Sequence, residues 1–220
     1  MIDIKNISKA FTSSEGPINI FQDTSLIIEE WVFAAVMWPS WSWKSTLLNL
    51  ISWLDTVNNW TIEVLWKNIA SLSDDKKTKR RWEHISFIFQ SFHLLPHLTV
   101  EENINLSLQL NNLKRRYTTD EILEKVWLTE RRNAYPFTLS GWEQQRVAIA
   151  RVFVWETPIL LADEPTGNLD ENTAQRIISL IVDLHKDTWT TILMITHDER
   201  IAAKAQVRYK LFDHKLHNIS

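Results

Sequence analysis

Lys44 and Ser45 are the first residues whose placement suggests chemistry. They belong to the segment Trp38-Pro39-Ser40-Trp41-Ser42-Trp43-Lys44-Ser45-Thr46, which follows an apolar run over 32–37 and opens a helical pattern over 44–51. A phosphate-binding loop is written G-x-x-x-x-G-K-[ST] between a strand and a helix. Spacing, lysine, hydroxyl and context agree here, and only the two glycines are replaced, by Trp38 and Trp43. In such a loop the glycines let the backbone take positive φ and turn successive N–H groups onto the anion. Lys44 would then reach the β- and γ-phosphates of a nucleotide, and Ser45 would bind Mg²⁺. Read alone, the segment is equally a tryptophan-rich loop before an ordinary helix with a surface lysine.

Two further strand ends carry reactive side chains. Ile159-Leu160-Leu161-Ala162-Asp163-Glu164 is an apolar strand running into two acids. Asp163 at the strand tip can hold Mg²⁺, and Glu164 can orient or deprotonate an attacking water. Residues 191–195 form another buried-strand pattern, which ends in Thr196-His197-Asp198. A histidine at the tip of a parallel strand stands where open α/β sheets place their sites. Ahead of both lies Leu139-Ser140-Gly141-Trp142-Glu143-Gln144-Gln145-Arg146-Val147-Ala148-Ile149-Ala150-Arg151. Ser140 and Glu143 form a capping-box pattern, and the N-terminus of the helix they open attracts anions.

The elements that must position these groups alternate in type. Residues 2–11 and 18–28 read as strands separated by a turn-rich stretch, and 32–37 reads as a strand buried on both faces. Strands are expected over 62–65, 85–89, 159–162 and 191–195, with helices from about 143 and 171. Thr99 with Glu102 predicts a helix running toward Asn112, and Thr118 with Glu121 predicts another. Strands alternating with helices predict an α/β fold with a parallel sheet, and the middle helices predict an inserted subdomain.

Composition narrows the classes. With 45% hydrophobic and 23% charged residues, the 220-residue chain is an ordinary globular one, read as a single domain over 1–220. Its net charge of −3 gives no bias toward nucleic acid, which is not expected as a partner. The absence of Cys excludes disulfides, thiolate metal sites and a Cys nucleophile. Met1-Ile2-Asp3-Ile4-Lys5 lacks a signal-peptide pattern, and no apolar run reaches the roughly 20 residues of a membrane span. Work at a membrane would therefore come through a partner.

Taken in order, the segments at Lys44, Gln90, Ser140, Asp163-Glu164, Asp170 and His197 closely resemble those of the ATP-binding cassette (ABC) ATPases, over essentially the whole chain. The segment from Leu139 is similar to that family's signature, usually L-S-G-G followed by Gln or by Glu-Gln-Gln-Arg. Phe89-Gln90 resembles its Q-loop and Gly167-Asn168-Leu169-Asp170 its D-loop. Phe11 stands where the family carries an aromatic that stacks on adenine; the other reading is a buried strand aromatic. Residues 89–98 and 163–170 look most like the lipoprotein-release and macrolide-export branch, and the cell-division ATPase of that branch is also similar.

The resemblance implies a P-loop NTPase of ABC type. Its mainly parallel core carries an antiparallel β subdomain, and a helical subdomain is inserted at about 91–140. It also implies ATP and Mg²⁺ as ligands. ATP would be held by Phe11, residues 38–46 and Gln90, with Ser140, Gly141, Trp142, Glu143 and Asp170 acting across a subunit pair. Ser45, Gln90 and Asp163 would serve the metal, with Glu164 and His197 catalytic. Expected partners are a second ATPase subunit, most simply a second copy, and a membrane permease that keeps the chain peripheral on the cytoplasmic face. The alternative is a non-catalytic scaffold. An ABC ATPase of DNA repair is disfavoured, because only 96 residues separate Lys44 from Ser140, too few for a long coiled-coil insertion.

One feature departs from the family. The chain has 12 Trp and only 3 Gly, against an average usage of about 7% Gly, or about 15 residues for this length. Trp31, Trp38, Trp41, Trp43, Trp53, Trp60, Trp66, Trp127, Trp142 and Trp189 fall where the family pattern usually has Gly; Trp82 and Trp155 are less clear. A codon that means Gly in the source but was rendered as Trp accounts for this selectivity, which scattered mutation does not.

Overall fold

The computed structural model describes residues 1–13, 16–38, 44–55, 61–65, 67–68, 72–111 and 113–220. In chain order it begins with β1 (Ile2–Ser13), β2 (Gly16–Ile28), β3 (Phe33–Met37), α1 (Lys44–Ile51), β4 (Thr61–Val64) and β5 (Lys67–Asn68). There follow α2 (Asp74–His84), β6 (Ile85–Ile88), α3 (Val100–Asn111), α4 (Thr119–Lys125), α5 (Gly141–Phe153) and β7 (Ile159–Asp163). The chain ends with α6 (Glu171–Thr188), β8 (Thr191–Thr196), α7 (Glu199–Ala202), β9 (Val207–Phe212) and β10 (Lys215–Asn218). Two compact units result, one of Met1–Arg81 with Thr191–Ser220 and one of Trp82–Thr190.

The first unit holds two groups of strands. An antiparallel sheet has the order β2-β1-β4-β5, with Ile2 opposite both Ile28 and Val64. In the second group β3 pairs in parallel with β8 on one side and β9 on the other, and β10 pairs antiparallel with β9. All five residues of β3 and all six of β8 are buried, which is why both read as unbroken apolar runs rather than alternating ones.

The second unit is built around α5, whose buried face runs from Gln145 to Phe153. The helices α3, α4 and α6 and the strand β6 pack on it. β6 pairs in parallel with β7, Ile85 opposite Ile159 through Ile88 opposite Ala162. All three expected capping boxes form. Thr99 N–H donates to Glu102 Oε2 at 2.7 Å, and Thr118 and Ser140 do the same with Glu121 at 2.7 Å and Glu143 at 2.9 Å.

Five elements were not predicted: α2, α7 and the strands β5, β9 and β10. α2 buries no residue, so it lacks the apolar periodicity that reveals a helix. β9 and β10 are joined by Asp213-His214, both with positive φ (48° and 59°) as in a type I′ turn, but without its usual Asn-Gly or Asp-Gly signature. Expected boundaries also move slightly. The signature helix begins at Gly141 rather than about 143, because the Ser140 cap starts it there. Asn112 lies outside the described residues.

Candidate functional site

In the first unit the carboxyl ends of β3 and β8 lie side by side, with Met37 opposite Thr196. The segment that begins at Trp38 and the one that begins at His197 therefore leave the sheet at one edge, where parallel sheets gather their ligands. α1 opens at Lys44, and Thr46 is buried in its first turn. Of the remaining phosphate-loop residues, Pro39, Ser40, Trp41, Ser42 and Trp43 lie outside the described residues, as do the side chains of Lys44 and Ser45. The Trp38 indole is buried edge-on against Phe21, ring centroids 5.9 Å apart.

His197 is exposed at the strand tip. Its neighbour Asp198 donates a backbone hydrogen bond to Thr196 Oγ1 at 3.1 Å and caps α7 by accepting from Arg200 N–H at 2.8 Å. The side-chain hydrogen bond from Arg200 holds the Asp198 carboxyl below its ordinary pKa. Phe11, near the connected end of the β1–β2 hairpin and paired with Ile18, is 37% exposed with Lys9 Nζ 5.3 Å from its ring centre. The alternative of a buried strand aromatic is therefore set aside, and the ring has a surface on which a base can stack.

In the second unit Gln90 and the acid pair leave neighbouring parallel strands at one edge, since Ile88 lies opposite Ala162. Glu164 is buried and takes a left-handed φ of 43°, a conformation that costs a non-glycine residue about 1–3 kcal/mol. The turn after it is fixed from two sides. Gly167 N–H donates to the Glu164 carbonyl at 3.0 Å, and Gln145 Nε2 donates to the Pro165 carbonyl at 2.6 Å from a fully buried position on α5. Gln90 and Asn168 are tied reciprocally: Gln90 Nε2 donates to Asn168 Oδ1 at 3.1 Å, and Asn168 Nδ2 returns a bond to the Gln90 carbonyl at 3.0 Å. Gly167 permits this approach, because a β-carbon there would meet Gln90 Nε2 at 2.8 Å. Asp170 caps α6 by accepting from Thr173 N–H at 3.1 Å.

α5 organises the rest. Ser140 Oγ donates to Glu143 Oε2 at 2.7 Å, and Arg131 Nε donates to Glu143 Oε1 at 3.0 Å. Burial pushes the Glu143 carboxyl up, but the bonds from Ser140 and Arg131 outweigh it and leave the group below its ordinary value. Arg146 donates to the carbonyls of Val126 and Trp127 at 2.7 and 2.8 Å, binding the C-terminal end of α4, and lies 4.6 Å from the Trp142 ring centre. Arg151 donates to the carbonyls of His93 and Phe92 at 2.7 and 3.1 Å, so it holds the segment that follows Gln90. Buried Asn103 grips the same segment through Leu95 and Leu98.

Gln145, Arg146 and Arg151 were visible inside the signature segment, and Asn168 inside the D-loop segment, without being assigned a role, while Asn103 carried no signal of its own. Among the described residues no group of three or more His, Asp or Glu could hold a metal alone. Mg²⁺ in nucleotide sites needs only one or two protein oxygens besides phosphate and water. The Asp163 carboxylate and the Gln90 carbonyl, whose amide nitrogen is committed to Asn168, are hard donors of the type it takes.

The ABC transporter family, as a sequence model, matches residues 21–167. The chain belongs to the ABC transporter family. It is 35% identical to the lipoprotein-releasing system ATP-binding protein LolD of Alcanivorax borkumensis, over 97% of this chain and 95% of that one. It is 41% identical to the uncharacterized ABC transporter ATP-binding protein YvrO of Bacillus subtilis, over 93% and 90%. The macrolide export ATP-binding/permease protein MacB of Shigella flexneri is 35% identical over 94% of this chain, which spans only 32% of its length. Among solved structures, a dimeric post-hydrolysis ATP-binding cassette bound to ADP and Pi superposes with a TM-score of 0.84 at 35% identity, over 98% of this chain and 96% of that one. The chain is thus an ABC ATPase subunit of the lipoprotein-release and macrolide-export branch.

Proposed function

We propose that the chain binds and hydrolyses MgATP and thereby powers a separate membrane permease that exports or extracts substrate from the membrane. The observation that carries this reading is the strand-edge arrangement of the second unit. There Gln90, Asp163 and Glu164 stand on adjoining parallel strand ends, locked by Asn168 and Gln145, with the capped α5 in the same unit. ATP supplies the γ-phosphoryl group, and Mg²⁺ the charge that offsets it.

In this reading Lys44 and the N–H groups at the start of α1 bind the phosphates, Ser45, Gln90 and Asp163 serve the metal, and Phe11 stacks on the base. Glu164 accepts the proton of the attacking water at its carboxylate. Its buried, conformationally strained setting is one in which a base is preorganised rather than recruited. His197, at the carboxyl end of β8, orients the reacting end. Ser140, Gly141, Trp142, Glu143 and Asp170 act on the nucleotide of a second copy, since a helix N-terminus offers its N–H groups to an anion. The helices within about 91–140 form the inserted subdomain, and with the segment after Gln90 they meet the permease at the inner face of the membrane. No helix among the described residues is long and apolar enough to cross a membrane.

The test is nucleotide affinity and turnover of Glu164→Gln, made in the chain that carries Trp38→Gly, Trp41→Gly, Trp43→Gly and Trp142→Gly. Retained MgATP binding with turnover reduced by about 10²–10⁴-fold supports the assignment of the base. Unchanged turnover removes Glu164 from that role.

A further inference from the structure

Eleven described residues other than glycine have positive φ, and two of them are Leu65 and Glu164. Asn6, Asp23, Asp213, His93 and His214 belong to the short or polar types that tolerate the left-handed region. Four others are tryptophans: Trp31 (64°), Trp53 (63°), Trp127 (54°) and Trp189 (53°). Only a few per cent of non-glycine residues adopt positive φ at all, and for a bulky side chain it is a true outlier. The eight described tryptophans should therefore supply well under one case, yet four of them have positive φ.

Three of the four end helices in the manner of glycine. After α1, Trp53 N–H donates to the Leu50 carbonyl at 3.2 Å and Leu54 N–H to the Asn49 carbonyl at 2.8 Å. After α4, Trp127 N–H donates to the Glu124 carbonyl at 3.0 Å and Leu128 N–H to the Leu123 carbonyl at 2.8 Å. Both are the paired bonds of a Schellman ending, in which the left-handed residue is usually Gly. After α6, Trp189 N–H donates to the His185 carbonyl at 2.9 Å, the single-bond form of the same ending. Trp31 occupies the turn between β2 and β3.

The side chains do not account for the tryptophans. Trp31, Trp127 and Trp189 are all more than half exposed, so little apolar burial is gained. Trp53 is buried, but its indole nitrogen has no hydrogen-bond partner. Buried polar groups are ordinarily paired.

We infer that positions 31, 53, 127 and 189 carry glycine in the protein its own cell makes, through a codon read there as Gly and rendered here as Trp. One codon reassignment acts on every position it touches, so the same reading extends to Trp38, Trp41, Trp43 and Trp142. The phosphate loop is then G-P-S-G-S-G-K-S and the signature L-S-G-G, both with the backbone freedom that anion binding needs. The four left-handed positions rest on backbone geometry alone. The consequence for the loop rests on the ATP-binding reading above.

The experiment is peptide mass spectrometry on the protein purified from its native cell, covering positions 31, 53, 127 and 189. Glycine at all four is expected. Tryptophan at any of them overturns the inference, whatever the protein binds. The loop consequence is read separately by calorimetric titration of MgATP into two recombinant chains, one as written and one with Trp38→Gly, Trp41→Gly and Trp43→Gly. At least a hundredfold tighter binding by the glycine chain is expected. Equal affinity would show that the loop tolerates indoles and would overturn the functional consequence, while the mass spectra would still decide the four backbone positions.

Discussion

Trp189 offers the cleanest separation of backbone strain from side-chain loss. It ends α6 at φ 53° and ψ 34°, and its side chain is 67% exposed. Trp189→Ala removes the indole but keeps the β-carbon, whereas Trp189→Gly removes both. The left-handed conformation costs an L-residue with a β-carbon roughly 1–2 kcal/mol. Against this, glycine gives the unfolded chain extra freedom worth about 0.4–1 kcal/mol. The balance predicts that the Gly variant is more stable than the Ala variant by about 0.5–1 kcal/mol. In a chain of this size that raises the melting temperature by about 1–4 °C. Urea unfolding of the two purified variants, followed by circular dichroism, should show a higher midpoint for Gly at an unchanged slope. A Gly variant no more stable than the Ala variant would refute the reasoning, because the β-carbon would then carry no cost at this position.

Other perturbations test other parts of the account. Asn103→Leu leaves the Leu95 N–H and the Leu95 and Leu98 carbonyls without their buried partner. It should lower stability by about 2–4 kcal/mol in denaturant unfolding. Gln145→Leu frees the turn after Glu164 and should lower kcat while leaving KM for ATP nearly unchanged; steady-state kinetics reads the split. The Glu143 carboxyl lies below its ordinary value of 4.5, so the stability it contributes is present above that pH and is lost as pH falls through the lowered folded value. Glu143→Gln should flatten the acid limb of the stability profile in unfolding titrations carried down through pH 4.5.

How much of this was legible beforehand follows from which physical signal each part carries. β3, β7 and β8 were readable because strands buried on both faces are continuous apolar runs. The starts of α3, α4 and α5 were readable because capping boxes are written in adjacent residues. α2 was not, since it buries nothing and so has no apolar stripe. The β9–β10 hairpin was hidden because Asp213-His214 performs a turn usually marked by Gly. The reactive groups were legible as strand-end residues, but their fixation was not. That Gln145 holds the Pro165 carbonyl, and Asn168 the Q-loop residue Gln90, depends on approaches between residues 20 and 78 positions apart. The excess of tryptophan was visible in the composition. That four tryptophans hold left-handed backbone was not, because φ appears only with the fold.

The central claim is that this chain turns over ATP with Lys44 on the phosphates and Glu164 as the base. It is tested most directly by phosphate release from MgATP by the chain carrying Trp38→Gly, Trp41→Gly, Trp43→Gly and Trp142→Gly, compared with the same chain bearing Lys44→Ala. The account predicts steady turnover in the first and loss of turnover in the second, since Lys44 is the side-chain cation aimed at the β- and γ-phosphates. Equal turnover by the two, or none by the first despite native folding, would contradict it.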